Sequence, residues 1–187
     1  EAHSLLNALS AKSPQVHDMS LLSLDTGMRR GEVFALKWQD IDLKNEIIHI
    51  KDTKNNRNRQ AFMTTRVKQM LVDRKENGTK VGFIFRNKDG GGINYIYKVF
   101  DRVVQTLGFN KDLNDTRDRV VFHTLRHTFA SWLALNHTPL LTIKELGGWQ
   151  SLDMVERYAH LIPDQKREAI KKLEQQQSLQ SISHEAF

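Results

Sequence analysis

The amino-acid sequence predicts a mainly α-helical domain with one small antiparallel β-sheet or hairpin. Over most of the chain apolar residues recur at spacings of three and four, which is typical of helices that bury one face. Between residues 46 and 63 the pattern changes to a period of two, which indicates strands. With 187 residues, 39% hydrophobic and 27% charged, the chain has an ordinary globular composition, which argues against collagen-like and disordered classes.

The first third of the chain reads as helical. Ser13 and Pro14 form a helix start, with the serine as cap and the proline at the first helical position. Apolar residues follow at helical spacing, and the pair Thr26-Gly27 ends the run. A second short helix is expected from about Arg30 to Leu36. Residues 46–50 and 59–63 then predict two strands of a hairpin around a polar turn at 54–58.

The remainder predicts further helices and a tail. A helix is expected over 65–76, an extended run over 81–85, and a helix with an apolar stripe from Ile93 to Leu107 that ends at Gly108. A charged surface loop covers 110–119. Further helices are predicted at 123–136, 140–146, 151–161 and 164–176. We expect one domain over residues 1–174 and a Gln/Ser-rich tail over 175–187.

The charge balance points to a polyanionic partner. Lysine and arginine exceed aspartate and glutamate by 28 − 22 = 6, and the isoelectric point is about 9.6. Such a balance favours nucleic acid before a membrane surface. The absence of cysteine excludes disulfides, thiolate metal sites and a cysteine nucleophile, and suits a reducing compartment. No apolar run approaches the roughly 20 residues of a bilayer span, and no secretory signal is visible. The expectation is therefore an intracellular basic domain.

Two segments in the first third carry candidate functional groups. In residues 26–32 (Thr-Gly-Met-Arg-Arg-Gly-Glu), Glu32 follows Arg29 by three positions, so a carboxylate could hold the guanidinium; a surface ion pair is the alternative. The turn from Lys51 to Arg59 holds four cations and one anion, a local charge of 4 − 1 = +3. It is either a solvated turn or a mobile loop that presents a lysine to a phosphate.

Two later segments also carry candidate functional groups. His123 and Arg126 are three positions apart, so both leave one face of a helix. His123 and His127 have metal-ligand spacing, but the glutamate of a zinc-protease motif is missing, and a histidine satisfied in the core is the alternative. Trp149 precedes Tyr158 by nine residues. A tyrosine within an amphipathic helix usually packs its ring and directs its hydroxyl outward.

Taken together and in order, these segments resemble the catalytic domain of the tyrosine recombinase (phage integrase) family, over about residues 5–173. The segment around Arg29 and Glu32 is similar to the family's first arginine box. Lys54, between the two strands, stands where the family carries its hairpin lysine, and Lys51 is the alternative. His123-Thr-Leu-Arg126 resembles the His-x-x-Arg box. Leu-Gly-Gly-Trp149, nine residues before Tyr158, resembles the last box; the family has most often histidine where this sequence has tryptophan, and some members carry tryptophan.

The resemblance implies roles for these residues. Tyr158 would be the nucleophile that forms a 3′-phosphotyrosyl link, and Arg29 and Arg126 would bind the non-bridging phosphate oxygens. Lys54 would be the general acid for the 5′-oxygen. The other assignments are a phosphate or proton-transfer role for His123, hydrogen bonding and packing for Trp149, and an orienting role for Glu32. Neither a metal, another cofactor nor ATP is expected.

The same resemblance implies a site-specific recombinase or integrase acting on double-stranded DNA, cytoplasmic and nucleoid-associated, whose full-length form assembles as a tetramer on DNA. The family's N-terminal DNA-clamping domain is expected to be absent from this fragment, and the tail from residue 175 is expected to dock on a neighbouring protomer. Two alternatives stay open. One is DNA relaxation or resolution, as in type IB topoisomerases, which would need no paired target sites. The other is a non-catalytic helical DNA-binding module, for which Tyr158 would be dispensable.

Overall fold

The computed structural model describes residues 1–51, 58–162, 170–171 and 173–175, and within them the fold is mainly helical with one small sheet. The α-helices are α1 (Ala2–Lys12), α2 (Pro14–Thr26), α3 (Arg30–Ala35), α4 (Thr65–Glu76), α5 (Tyr97–Thr106), α6 (Phe122–Leu135), α7 (Leu140–Gly147) and α8 (Asp153–Glu156). The strands are β1 (Ile41–Asp42), β2 (Ile47–Ile50) and β3 (Arg59–Phe62). Short 3-10 helices cover Trp38–Asp40, Thr116–Asp118 and Ala159–Leu161. The predicted fold class is confirmed.

The helix signals of the first third have the structural basis that the sequence suggests. The Ser13 hydroxyl caps α2 by accepting from the Val16 amide at 3.4 Å, and Gly27 ends the helix in the left-handed conformation at φ +65°. That backbone conformation favours glycine, because other side chains collide there with the following carbonyl. Helix α1 was not predicted. It begins at the second residue, and no side chain caps it, so the sequence carries no start signal for it.

The sheet is antiparallel in the order β1-β2-β3. Ile48 pairs with Ile41 on one side and with Ala61 on the other, so β2 is the central strand. The predicted hairpin is β2 and β3, which start and stop within one residue of expectation. The predicted turn at 54–58 lies outside the described residues, apart from Asn58. Strand β1, only two residues long, was too short for a periodic pattern to reveal.

Three elements differ from the prediction. Residues 81–85 form no strand and contribute only an isolated bridge between Phe83 and Lys37. Helix α5 begins at Tyr97, not at Ile93. The helix expected over 151–161 is instead the short α8 followed by the 3-10 turn Ala159–Leu161. A spacing of three places Val155, Tyr158 and Leu161 on one side of a 3-10 turn, and all three join one apolar cluster.

The apolar interior has two parts, and α6 runs from one to the other. The larger cluster unites α1, α2, α4, α5 and the sheet, and it includes Phe122 and Leu125 of α6. The smaller cluster contains Ala130 and Ala134 of α6 and four buried residues from later segments: Ile143, Trp149, Val155 and Tyr158. Arg126 therefore lies on α6 between the two clusters. Among the described helices, none has the length and apolar character that a bilayer span requires. The predicted helix over 164–176 and the tail lie mostly outside the described residues. The part of that helix that the structure describes, residues 170–171 and 173–175, is helical.

Candidate active site

Two arginines from distant segments converge on the turn that follows α7. Arg126 donates from Nη1 to the carbonyl oxygen of Gly147 at 2.6 Å, and from the same nitrogen to that of Gly27. Arg29 donates from Nη2 to the carbonyl of Gly148 at 2.5 Å. The last carbonyls of a helix have no partner within it, so the ends of α2 and α7 supply the acceptors. The two guanidinium groups thus bind consecutive peptide groups.

Arg126 is almost completely buried, at 1% exposure. Burial lowers its pKa to about 9, and the positive charges of Arg29 and Arg59 act in the same direction. The guanidinium nevertheless carries its charge at neutral pH. The structure therefore concentrates three cationic groups around one short stretch of backbone, an arrangement suited to an anion with several oxygens.

Trp149 covers the guanidinium of Arg126. The Arg126 Cζ atom lies 3.9 Å from the centre of the indole, a cation–π contact. Gly147 permits this position of the ring, because a Cβ atom there would lie 1.8 Å from a Trp149 ring carbon. The indole also packs against Tyr158, at 6.1 Å between ring centres and 65° between planes. Trp149 thus packs between the arginine and the tyrosine.

The hydroxyl of Tyr158 lies 2.5 Å from Nδ1 of His127. Tyr158 is 4% exposed, and burial raises the pKa of its hydroxyl, so the phenol is protonated at neutral pH. Burial, together with the neighbouring His123, Arg157 and Arg126, lowers the pKa of His127 to about 4. At neutral pH the imidazole is therefore uncharged, with one nitrogen able to accept a hydrogen bond.

His123 stands one helical turn before His127. The two imidazole rings are perpendicular, with centres 4.7 Å apart. His123 is exposed at the surface, and partial desolvation lowers its pKa, helped by the charges of Arg126 and Arg29. In the described part of the chain, no group of three or more His, Cys, Asp or Glu side chains is placed to hold a metal ion. His123 and His127 therefore belong to no such group there.

Glu32 joins two arginines. Its carboxylate accepts from Arg29 Nη1 at 3.0 Å and from the Arg29 backbone N–H at 2.7 Å, which caps α3. The same group accepts from Arg59 Nη2 at 2.7 Å. Arg59 also donates from Nη1 to the carbonyl of Leu146 at 3.0 Å. Strand β3 is thereby tied to α3 and to the end of α7, so Glu32 and Arg59 fix the position of Arg29.

The two lysines considered for the general acid are Lys54 and, as the alternative, Lys51. Lys54 is outside the described residues. Lys51, the alternative, is exposed, and its Nζ lies 3.2 Å from Oδ1 of Asp40. Lys51 and Glu32 line one cavity beside the sheet, so the hairpin begins next to the arginine cluster.

The structure brings together most of the residues that the sequence singles out: Arg29, Glu32, His123, Arg126, Trp149 and Tyr158. Sequence reasoning missed two members of the same network, His127 and Arg59. His127 was considered only as a metal ligand or core residue, although it follows His123 by one helical turn and so shares its helix face. Side chains alternate between the two faces of β3, so Arg59 lies on the same face as the buried Ala61. This alternation is the sequence signal that could have identified Arg59.

A helical domain with a buried tyrosine beside paired arginines defines a class of site suited to covalent chemistry on a phosphate. The model of the phage integrase family matches residues 1–165. The chain therefore belongs to the phage integrase family.

Curated relatives and solved structures agree with this assignment. The integrase of Salmonella phage P22 is 31% identical over 161 residues, an alignment covering 81% of this chain and 41% of the relative. The probable integrase/recombinase protein MJ0367 of Methanocaldococcus jannaschii is 30% identical over 158 residues, covering 81% of this chain and 48% of the relative. This chain thus spans less than half the length of these two relatives.

Among solved structures, the catalytic domain of bacteriophage HP1 integrase superimposes with a TM-score of 0.71 at 26% identity, covering 91% of this chain and 89% of that one. The XerH site-specific recombinase, bound to its difH substrate in a pre-cleavage complex, gives a TM-score of 0.69 at 25% identity, covering 91% of this chain and 51% of that one. The domain architecture described above is that of these catalytic domains.

Proposed function

We propose that this chain is the catalytic domain of a site-specific DNA recombinase that breaks and rejoins DNA through a 3′-phosphotyrosyl intermediate. The observation that carries the proposal is the convergence of Arg29 and Arg126 on consecutive peptide groups, with Trp149 and the Tyr158 ring packed directly behind. Three segments that are remote in sequence, around Arg29, Arg126 and Trp149–Tyr158, bring one cation pair and one hydroxyl close together, as phosphoryl transfer to a tyrosine requires.

In this proposal the Tyr158 oxygen attacks the scissile phosphorus, and the bond from phosphorus to the 5′-oxygen breaks. The ester energy stays in the phosphotyrosyl bond, so a second 5′-hydroxyl can reverse the step without ATP. Arg29 and Arg126 stabilise the charge that develops on the non-bridging oxygens. An anionic phosphate is a stronger acceptor than the carbonyls that both arginines bind, so it would compete for their N–H groups. Two permanent cations provide this stabilisation without requiring a metal ion.

The other residues have supporting roles in the proposal. Trp149 lies over the Arg126 guanidinium, and Glu32 holds Arg29 through two contacts. His123, exposed at the mouth of the site, would hydrogen-bond the phosphate. Lys54 would protonate the leaving 5′-oxygen from the hairpin turn, with Lys51 as the alternative.

The substrate in this proposal is double-stranded DNA. The net charge of +6 and the arginine cluster suit a polyanion, and the related XerH recombinase was solved on DNA. Residues 1–174 would form the catalytic domain and 175–187 a tail that docks on a neighbouring protomer, within a tetramer of the full-length protein. Its place of action would be the cytoplasm, on the nucleoid.

The test is a nicked suicide duplex, which releases a short fragment on cleavage and so traps the covalent complex. The parent should form a complex that survives denaturing gels, whereas Tyr158→Phe should form none and bind the same duplex with nearly unchanged affinity. The complex should also form in excess chelator. An adduct with the Phe variant would refute the nucleophile; a parent that binds DNA without ever forming an adduct would indicate a binding module.

A further inference from the structure

We propose that His127 is a further catalytic residue of this reaction: its Nδ1 accepts the hydrogen of the Tyr158 hydroxyl and takes that proton as the oxygen attacks phosphorus. The inference rests on the proposed function, because it concerns the same nucleophile. It assigns the proton-accepting role to a residue outside the His-x-x-Arg box, whose own histidine is His123.

The contact itself is short and sheltered. The Tyr158 hydroxyl and His127 Nδ1 are 2.5 Å apart, and the tyrosine is 4% exposed, so water has little access to compete for the hydroxyl. His127 lies on α6 one position after Arg126. The helix that places the phosphate-binding guanidinium therefore also places the imidazole, and the two groups keep a constant relation to each other.

The chemistry of the neighbours sets the direction of this hydrogen bond. Among the polar side chains near Tyr158 are those of Arg126, Arg157 and Trp149, and their N–H groups donate only. None of these three can receive the hydrogen of the hydroxyl. An uncharged His127 can, with its own hydrogen on Nε2, and then the lone pairs of the tyrosine oxygen remain available for phosphorus.

The proton balance of the step is simple. The Tyr158 O–H bond breaks as the oxygen–phosphorus bond forms, and the proton moves to Nδ1, giving an imidazolium. The bond from phosphorus to the 5′-oxygen breaks, and that oxygen takes a proton from the general acid of the hairpin. The phosphodiester brings a negative charge next to His127, which favours the imidazolium. In the rejoining step the proton returns from Nδ1 to the departing tyrosine oxygen.

The decisive comparison is between His127→Asn and the parent on the suicide duplex. The asparagine Oδ1 occupies about the place of Nδ1, so this variant accepts the hydrogen bond but cannot take the proton. We expect adduct formation to slow by roughly 10²–10⁴-fold, the range for loss of a general base. His127→Leu, which removes acceptor and base together, should be at least as slow. An asparagine variant as fast as the parent would reduce His127 to a positioning residue and overturn the inference.

A second arm separates proton transfer from a structural effect. A fluorinated tyrosine with a more acidic phenol, incorporated at position 158 alone, needs less help from a base. The fluorinated tyrosine should raise the rate of adduct formation by His127→Asn, and this increase should be about tenfold or more larger than the increase it causes in the parent. The matched control is His123→Asn, one turn away on the same helix, which should gain no such rescue. Rescue of the His123 variant without rescue of the His127 variant would assign the proton to His123.

A third measurement does not depend on activity. With ¹⁵N-labelled histidine at neutral pH, Nδ1 of His127 should show the chemical shift of an unprotonated nitrogen and Nε2 that of an N–H. The reverse tautomer would overturn the inference even in an active protein. If the parent itself forms no adduct while this tautomer is observed, it is the proposed function that fails, and the proton transfer with it.

Discussion

Arg59 offers the sharpest test of how the candidate site is held together, because it contacts two segments that are remote from it in sequence. Its side chain is 13% exposed, and its guanidinium donates to Glu32 at 2.7 Å and to the Leu146 carbonyl at 3.0 Å. Replacement by alanine removes both contacts at once. It leaves Glu32 with Arg29 alone and leaves the last turn of α7 without its tether to the sheet.

The size of the effect follows from these contacts. A hydrogen bond to a charged group contributes about 1.5–3 kcal/mol, and removing one partner of a buried ion pair costs about 3–5 kcal/mol. Glu32 keeps its two contacts with Arg29, which places the expected loss for Arg59→Ala at the lower end, about 3 kcal/mol. Arg59→Lys should recover only a small part, because a single ammonium cannot span both acceptors as the planar guanidinium does.

Urea denaturation followed by circular dichroism measures this loss. The matched control is Arg117→Ala, which breaks another arginine–carboxylate pair, with Asp115, at a side chain that is 89% exposed. That variant should unfold at nearly the urea concentration of the parent, since exposed ion pairs contribute little. Equal losses in the Arg59 and Arg117 variants would refute the reasoning. Adduct formation on the suicide duplex should fall in the Arg59 variant alone.

Two other predictions concern the same neighbourhood. Gly148→Ala should destabilise the fold by roughly 2 kcal/mol or more, because Gly148 has φ +71° and a Cβ atom would lie 2.3 Å from Arg59 Cδ. The control is Gly31→Ala, at a helical position with open space, which should be neutral or stabilising by up to about 1 kcal/mol. Urea titration of both variants measures these changes in the free energy of unfolding. The second concerns pH: His127 has a pKa of about 4 when folded, against about 6.5 when unfolded, so the unfolded chain binds the proton first as pH falls. The free energy of unfolding should therefore fall between pH 6.5 and 4, and His127 should account for roughly 2–3 kcal/mol of that fall. Unfolding curves across this pH range should show a smaller fall for His127→Asn, in which the contribution of His123 is retained.

The sequence predicted elements that carry their own start and stop signals and missed those that do not. Helix α2 has a serine cap, a proline and a terminal glycine, and its bounds were predicted correctly. Helix α1 and strand β1 have no such signals and are defined by packing and pairing with later segments. Residues 151–161 show a different failure. Their apolar spacing suits a 3-10 turn as well as a helix, and only contact with α6 and α7 decides between the two.

The site shows a similar division. Ordered motifs led to the prediction of Arg29, Arg126 and Tyr158, which the structure brings together, since the type and order of the residues carry that information. His127 and Arg59 act through contacts between segments 31 and 87 residues apart, to Tyr158 and to Leu146. No local pattern encodes contacts at such a separation. They become visible only when Tyr158 is placed against α6 and the end of α7 is placed against β3.

The geometry of the α7 turn also explains how a tryptophan can stand where histidine is commoner in this family. The indole has no basic nitrogen, so it cannot exchange protons, but it stacks on Arg126 at 3.9 Å and faces Tyr158 at 6.1 Å. Proton acceptance and packing are then divided between two residues: Trp149 orders the cation and the ring, while His127 contacts the hydroxyl. A chain with histidine at position 149 would have a second imidazole close to the nucleophile. In this chain the imidazole that contacts the hydroxyl is supplied by His127 on α6, with His123 one helical turn away.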